Sequence, residues 1–387
     1  MGVAVSFQFA APARIVFGAG ALQEAGPRAA ELGRRALVVT GATTSRAQPL
    51  LDLLAAHEVD AVPFAVSGEP TLDIVREGAA AARHGNCDLV IGFGGGSPLD
   101  TAKAVVALAA NEGDPLDYVE VIGRGRALTQ APLPFIAIPT TAGTGSEATH
   151  NSVIASPEHR VKVSLRSPLL FARLALVDPE LTHTVPPDVT AATGLDALTQ
   201  LVEAFLSLRA NPLADGLCRE GMTRAARSLR RAYANGDDAE ARASMSLASL
   251  FSGIALANAG LGAVHGFAGP LGGMFSAPHG AICGRLLPAV MTVNLRALEA
   301  QESGTGLQRY EEVARILTGK PQACASEGVT WVSQLVADLG VPGLSHHGIV
   351  SDDFPAIIER AARAGSMKTN PVPLSVDQMS EVLADAL

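Results

Sequence analysis

The stretch Leu89-Val90-Ile91-Gly92-Phe93-Gly94-Gly95-Gly96-Ser97-Pro98-Leu99-Asp100-Thr101-Ala102-Lys103 decides how the first half of the chain is read. An apolar run of strand length, Leu89–Gly92, enters three glycines and leaves in a helical pattern, Leu99–Ala109. Glycines at such a turn let backbone N–H groups approach a phosphate. A helix opening behind them turns its positive dipole end toward the same anion. Ser97 is expected as the N-cap, Pro98 at the first helical position and Asp100 at the capping-box site. The turn fits neither the P-loop pattern nor GxGxxG, since Ser97 stands where the last glycine would be. A plain glycine-rich turn is the alternative to a phosphate cradle.

Outward from this turn the same grammar repeats. Strands are expected at Arg14–Phe17, Ala36–Thr40, Ala61–Phe64, Leu89–Gly92, Phe135–Ile138 and Leu174–Val177. Helical patterns at Ala47–Ala56, Leu72–His84 and Leu99–Ala109 lie between them. Alternation of this kind predicts βαβ units in a Rossmann-like, mostly parallel α/β sheet, with its ligand site beyond the carboxyl ends of the strands. The pattern changes at Pro186-Pro187. Beyond it only helices are expected: Asp188–Leu208, Ala214–Tyr233, Ala239–Ala259, Ala281–Glu299, Leu307–Leu317, Gly328–Leu339, Phe354–Ala364 and Val376–Ala386. The expected division is therefore an α/β dinucleotide-binding domain over 1–187 and an all-α domain over 188–387, with the active site in the cleft between them.

The 387 residues suit two or three domains, and 48% hydrophobic against 17% charged residues leaves ample material for a core. Aromatics are only 4%, so Ala, Leu and Val must build it. A net charge of −9 argues against a nucleic-acid partner. The basic run Arg224–Arg231 has helical spacing and reads as a solvated helix face. Cys87, Cys218, Cys283 and Cys324 show no CxxC spacing, which predicts reduced thiols and a cytoplasmic location. No leader is expected. Met1–Ser6 matches a myristoylation pattern in form, but Val3 onward reads as the start of a strand. The apolar run Leu247–Leu261, interrupted by Ser249, Ser252 and Asn258, reads as a buried helix, and no membrane partner is expected.

A second loop follows the strand at Phe135: Pro139-Thr140-Thr141-Ala142-Gly143-Thr144-Gly145-Ser146-Glu147. Its hydroxyls and glycines suit the polar parts of a dinucleotide, though a plain Thr/Gly turn reads equally well. In the second half, Asp196, His265 and His279 form a two-histidine, one-carboxylate set suited to iron(II) or another divalent first-row metal. Such an ion polarises an alcohol or carbonyl oxygen. The bland alternative is a pair of core histidines bonded to backbone.

The two loops, GGGSPLDTAK and PTTAGTGSEAT, followed in order by ALVDPELT (175–182), GLDALT (194–199) and HGFAGPLGGMFSAPHG (265–280), resemble the iron-containing (group III) alcohol dehydrogenases of the dehydroquinate synthase-like superfamily. The resemblance runs from Phe17-Gly-Ala-Gly-Ala-Leu22 to the C-terminal helices. It implies an NAD(P)-dependent oxidoreductase of a small alcohol or aldehyde, holding Fe2+, Zn2+ or a related metal, and a homodimer. By motif position Gly94, Gly95, Gly96, Ser97 and Asp100 belong to the pyrophosphate turn. Thr140, Thr141, Thr144 and Thr149 would line the nicotinamide side, and Lys162 would reach the nicotinamide ribose. Members that prefer NAD often carry Asp at the end of the second strand. Here Gly41 stands there with Arg46 nearby, so NADP is admitted beside NAD.

Two departures stand out. The family helix reads Asp-x-x-x-His, and here the second position is Gln200, a weaker fourth metal partner. The next motif reads His-x-x-x-His, and here Gly269 replaces the histidine available for proton relay. His150 is a conceivable substitute carrier. Two other readings stay open: a metal-independent NAD(P)H reductase of a small oxo compound, like maleylacetate reductases, and a non-catalytic cofactor-binding homodimer. A dehydroquinate synthase-like lyase shares the outline, but GTGSE and DPELT favour the dehydrogenase branch.

Overall fold

The computed structural model describes residues 6–387, so the Met1–Ser6 pattern and the strand expected from Val3 fall largely outside it. Ser6–Ala10 carries no strand. Ala10 is instead pinned by a reciprocal pair of bonds to Asn258, its N–H donating to Oδ1 at 2.7 Å and its carbonyl accepting from Nδ2 at 2.8 Å.

The alternation reads out as β1 (Ile15–Phe17), α1 (Ala25–Leu32), β2 (Arg35–Gly41), α2 (Gln48–Ala56), β3 (Asp60–Val66), α3 (Leu72–His84), β4 (Leu89–Gly94), α4 (Gly96–Ala110), the single turn α5 (Pro115–Tyr118) and β5 (Phe135–Pro139). Then come β6 (Asn151–Ser156), β7 (Val161–Arg166) and β8 (Leu174–Val177). Six strands form one parallel sheet in the order β1-β8-β5-β4-β2-β3. The chain proceeds one way from β2 to β3 and the other way from β4 to β5. The carboxyl ends of β2 and β4 therefore flank the switch point where such sheets take their ligands. Strands β4 and β5 are buried along their whole length, which explains their unbroken apolar runs. One face is covered by α1 and α2, the other by α3 and α4.

The sequence reading missed the antiparallel hairpin β6–β7, which packs Ile154, Val163 and Leu165 against the α3–α4 face. Its alternation is legible in Val161-Lys-Val-Ser-Leu-Arg166, but a search for parallel βαβ strands passes over two short polar-apolar segments. Because the hairpin covers α4, that helix is buried on all sides from Pro98 to Leu108 apart from Asp100.

Everything after Val177 is helical: α6 (Pro187–Leu206), α7 (Pro212–Ala234), α8 (Ala239–Ala259), α9 (Ala263–Met274), α10 (His279–Ala300), α11 (Gly304–Thr318), α12 (Ala325–Asp338), α13 (Phe354–Ala362) and α14 (Val376–Ala386), with short 3-10 turns between them. The helix missed in the sequence is α9. Four glycines and Pro270 obscure its period. On α7, Arg224 pairs with Glu220, Arg231 with Asp238 and Glu240, and Arg230 with Asp338, so the basic run is a paired helix face. The helix α10 is long and apolar enough to cross a bilayer, yet 72% of its most apolar window is buried in this helical core.

Candidate active site

The glycine loop is built by a sharp exit from β4. Gly94 has φ 156°, where a side chain is strained, and a Cβ there would lie 2.6 Å from Pro98 Cγ. Gly95 is extended and caps α4, which starts at Gly96. This corrects the expectation that Ser97 is the N-cap and Asp100 the capping-box partner. The glycine exit turns the chain into the helix two residues earlier, leaving Ser97 and Pro98 in the first turn. Backbone N–H groups of Gly96 and Ser97 have no intrahelical acceptor and stand at the positive end of the dipole. The second loop lies directly against them. A Cβ on Gly95 would lie 3.2 Å from Thr141 Oγ1, and one on Gly96 3.0 Å from Thr144 Cγ2.

Asp100 and a fully buried lysine bind the two loops together. Asp100 accepts from Ser146 Oγ at 2.6 Å and from the Val153 N–H at 3.1 Å, and it pairs with Lys103 at 3.0 Å. Lys103 Nζ donates to the carbonyls of Ser146 (2.9 Å) and Asn151 (2.6 Å) and to Thr149 Oγ1 (2.8 Å). Burial pulls the Lys103 ammonium below its usual range, against the pull of Asp100. Thr149 thus holds the loop through its hydroxyl, and Thr140 hangs from Gly94 by a backbone bond of 2.9 Å. At Gly145, φ is 60° and a Cβ would lie 2.5 Å from the Gly253 nitrogen, so this loop meets α8 backbone to backbone.

Across the cleft three helices each present an i,i+4 pair: Asp196 and Gln200 on α6, His265 and Gly269 on α9, His279 and Cys283 on α10. Asp196 Oδ1 is buried and has no hydrogen-bond partner. It lies 3.3 Å from His265 Nε2 and 3.8 Å from His279 Nε2. Cys283 Sγ is 3.7 Å and 3.6 Å from the same two nitrogens. Glu203, one turn beyond Gln200, takes His265 Nδ1 at 2.5 Å and the Val264 N–H at 2.7 Å. The Glu203 carboxylate fixes the proton on Nδ1 and turns Nε2 toward Asp196, the arrangement found behind metal-ligating histidines. Gln200 Oε1 accepts from Ser252 Oγ at 3.0 Å. An unpartnered buried carboxylate oxygen facing two imidazole nitrogens fits a divalent cation, and the donor set suits a first-row metal.

Charge follows the same arrangement. Burial works against the Asp196 carboxylate, but His265 and His279 outweigh it and hold the carboxyl below its ordinary range. Burial likewise opposes charge on His265, yet Cys283, Glu203 and Asp196 raise it well above a free imidazole. The site is a net acceptor of positive charge. His150 is the reverse: burial lowers it to about 4, so it is neutral near pH 7. Its ring packs on Phe171, with centroids 5.0 Å apart, and its Nδ1 has no partner.

The glycine loop and the three-helix centre share one cleft of about 1440 Å3. The profile described as "Iron-containing alcohol dehydrogenase" matches residues 12–179, and that of the "Fe-containing alcohol dehydrogenase family, C-terminal" matches 190–387. The chain belongs to the iron-containing alcohol dehydrogenase family. It is 38% identical over 385 residues to a long-chain-alcohol dehydrogenase of Geobacillus thermodenitrificans, covering 94% of this chain and 93% of that one. It is 34% identical to a 1,3-propanediol dehydrogenase of Klebsiella pneumoniae, covering 94% and 95%. The solved structure of a 1,3-propanediol oxidoreductase superposes with a TM-score of 0.92 at 32% identity, covering 99% and 100%. A sulfoacetaldehyde reductase of Bifidobacterium kashiwanohense in complex with NAD+ superposes at 0.87 with 28% identity and 99% of each chain.

Within this iron-containing alcohol dehydrogenase fold the sequence-derived residues fall into two groups. Gly96, Ser97, Asp100, Thr144, Thr149 and Lys162 line the cleft on the α/β side. Asp196, Gln200, His265, Gly269 and His279 line it on the helical side. Gly41, Gly94, Gly95, Thr140 and Thr141 are not among the residues that line it, and Gly41, Gly95 and Thr141 are partly exposed. Lys162 is nearly buried and pairs with Glu69 at 2.8 Å. Arg46 donates to the Leu181 carbonyl and Thr184 Oγ1. The reading missed Lys103, Glu203 and Cys283. Starting α10 at Ala281 left His279 in a turn, which hid the i,i+4 relation that pairs it with Cys283.

Proposed function

We propose that the chain is an NAD(P)-dependent oxidoreductase that interconverts a small primary alcohol and its aldehyde, with a divalent metal held by Asp196, His265 and His279. The observation that carries the reading is Asp196 Oδ1, buried, without a hydrogen-bond partner and facing two imidazole nitrogens, in the same cleft as the Gly96–Ser97 turn. When bound, the metal supplies Lewis acidity to the substrate oxygen, and the nicotinamide exchanges the hydride.

The chain's own residues do the rest. Gly95, Gly96 and Ser97 offer backbone N–H groups and a dipole end to the pyrophosphate, and Thr141 and Thr144 close the turn from above. Asp100 and Lys103 keep the second loop against the first, so the dinucleotide meets a surface already formed. Glu203 holds His265 through Nδ1 and so keeps Nε2 turned toward Asp196. Gln200, its oxygen bonded to Ser252, stands as a neutral group beside Asp196. With Gly269 at the relay position, the alcohol proton leaves to solvent through the open cleft. Relatives named for long-chain alcohols and 1,3-propanediol support an alcohol or diol as substrate. Gly41, without a carboxylate, supports use of NADP as well as NAD. Iron is the family's metal by name; the donor set accepts zinc equally. The four unpaired cysteines support a reducing, cytoplasmic compartment, and the family resemblance supports a homodimer.

The test is elemental analysis of the purified protein followed by NAD(P)H oxidation with small aldehydes, with and without chelator. Loss of activity in chelator and recovery with iron or zinc is expected. A metal-free protein that turns over at full rate in chelator would overturn the metal reading in favour of the metal-independent reductase. No turnover with any aldehyde, despite bound cofactor, would favour the non-catalytic one.

A further inference from the structure

The floor of the cleft holds one strong donor that the two-histidine, one-carboxylate reading leaves idle. We propose that Cys283 is a direct metal ligand, completing an Asp-His-His-Cys set in the place that Gln200 leaves open, and that it tilts the site toward zinc or cobalt over iron. This rests on the metal reading above.

Three observations converge. A tetrahedral zinc ion with bonds of about 2.05 Å to nitrogen and about 2.3 Å to sulfur separates N from S by about 3.6 Å. Cys283 Sγ lies 3.6 Å from His279 Nε2 and 3.7 Å from His265 Nε2. The same geometry separates nitrogen from a carboxylate oxygen by about 3.3 Å, and the two distances to Asp196 Oδ1 are 3.3 and 3.8 Å. All four ligand atoms fall within 4.8 Å of one another. The four side chains already stand near the corners of one coordination shell.

Second, Gln200 is engaged elsewhere. The only ligating atom of an amide is its oxygen, and Oε1 accepts from Ser252 Oγ, which is fixed in turn on the Ser249 carbonyl at 2.8 Å. Third, Cys283 is buried and its Sγ approaches no hydrogen-bonding group except the two histidines. A buried thiol serving only as packing has no need to point between two imidazoles. Thiolate is a softer donor than an amide oxygen and favours zinc among the available divalent ions. Zinc expands from four to five ligands, so a fourth protein donor leaves the site open to substrate.

Cobalt(II) added to the metal-stripped full-length protein reads this directly, through a near-ultraviolet thiolate-to-cobalt charge-transfer band. Cys87, Cys218 and Cys324 belong to no such cluster, so the band reports Cys283. The wild type should show it and Cys283→Ala should bind cobalt without it. Partners behind a ligand alone account for about 10–100-fold in metal affinity, so losing the ligand itself should lower zinc affinity at least about 100-fold by chelator competition. Adding Gln200→His to Cys283→Ala should restore much of that loss, because an imidazole then stands where the family places one. If Cys283→Ala fails to fold, Cys283→Ser should give the same missing band. A wild type that binds one equivalent of cobalt with no charge-transfer band would overturn the proposal and leave the Asp-His-His site standing. A wild type that binds no divalent metal would overturn both.

Discussion

Glu203→Gln isolates what holds the metal-facing histidine in place. The carboxylate has two oxygens and uses both, one on the Val264 N–H at 2.7 Å and one on His265 Nδ1 at 2.5 Å. An amide of the same shape has one oxygen, so one of these two buried donors loses its acceptor and faces an N–H instead. A hydrogen bond to a charged group contributes about 1.5–3 kcal/mol, and a buried unpaired donor costs about 1–3 kcal/mol. Carboxylates behind ligating histidines control about 10–100-fold in metal affinity, or about 1.4–2.7 kcal/mol, so two separate routes reach one magnitude. If the amide oxygen stays on Val264, His265 is free to flip, and the loss appears in metal binding. If it stays on His265, the start of α9 loosens, and the loss appears in the melting temperature of the metal-free protein. Zinc affinity by chelator competition, with thermal melts of both forms, separates the two. A variant whose zinc affinity and metal-free melting temperature both match wild type would refute the role given to Glu203.

Gly41→Asp should lower the NADP-to-NAD ratio of kcat/KM by about tenfold or more, about 1.4 kcal/mol of repulsion against a 2′-phosphate. A Cβ at Gly41 meets nothing closer than Pro98 Cγ at 4.0 Å, so an unchanged ratio would remove this position from cofactor choice. Gly269→His should add an ionisation near about 6.5 to the pH–rate profile; space for its Cβ is open, and a folded variant with the wild-type profile would count against a relay there. Glu147 is pushed by burial from 4.5 up to about 7. Between those pH values the folded chain keeps a proton that the unfolded chain has released, so this group's contribution is fullest below about pH 4.5 and is lost as pH rises through about 7. The span corresponds to about 3 kcal/mol. Glu147→Gln should flatten that decline in urea denaturation, and an identical wild-type-to-variant difference at about pH 5 and about pH 8 would refute it.

How far the sequence could be read depends on where a residue's period is visible. Strands β2, β4, β5 and β8 were legible because burial on both faces leaves unbroken apolar runs, and Leu72–His84 because its buried residues recur at helical spacing. Helix α9 was not, since glycine and proline are tolerated there by close packing that no local pattern records. Gly273, for instance, would place a Cβ 2.7 Å from Val161 Cα. The histidines and Asp196 could be picked out as residue types. Glu203 could not, because a carboxylate seven residues after Asp196 acquires meaning only when α9 brings His265 and Val264 to it. The placement of Ser97 failed for a related reason. Capping preference is weaker than the turn that Gly94 and Gly95 impose.

The contact between Gly145 and Gly253 carries one more implication. There the threonine-glycine loop after β5 and α8 touch with no side chain between them, and a Cβ on Gly253 would lie 2.2 Å from the Gly145 oxygen. A backbone-to-backbone contact of this kind sets how closely the loop and α8 can approach, because no flexible side chain there can give way. Gly253 also follows Ser252, the residue that holds Gln200. A single methyl group added at either glycine would meet backbone, so loop and helix would have to part locally, beside the serine that bonds Gln200. Breeding or engineering this enzyme for bulkier alcohols has, in that pair, an adjustment screw outside the substrate pocket.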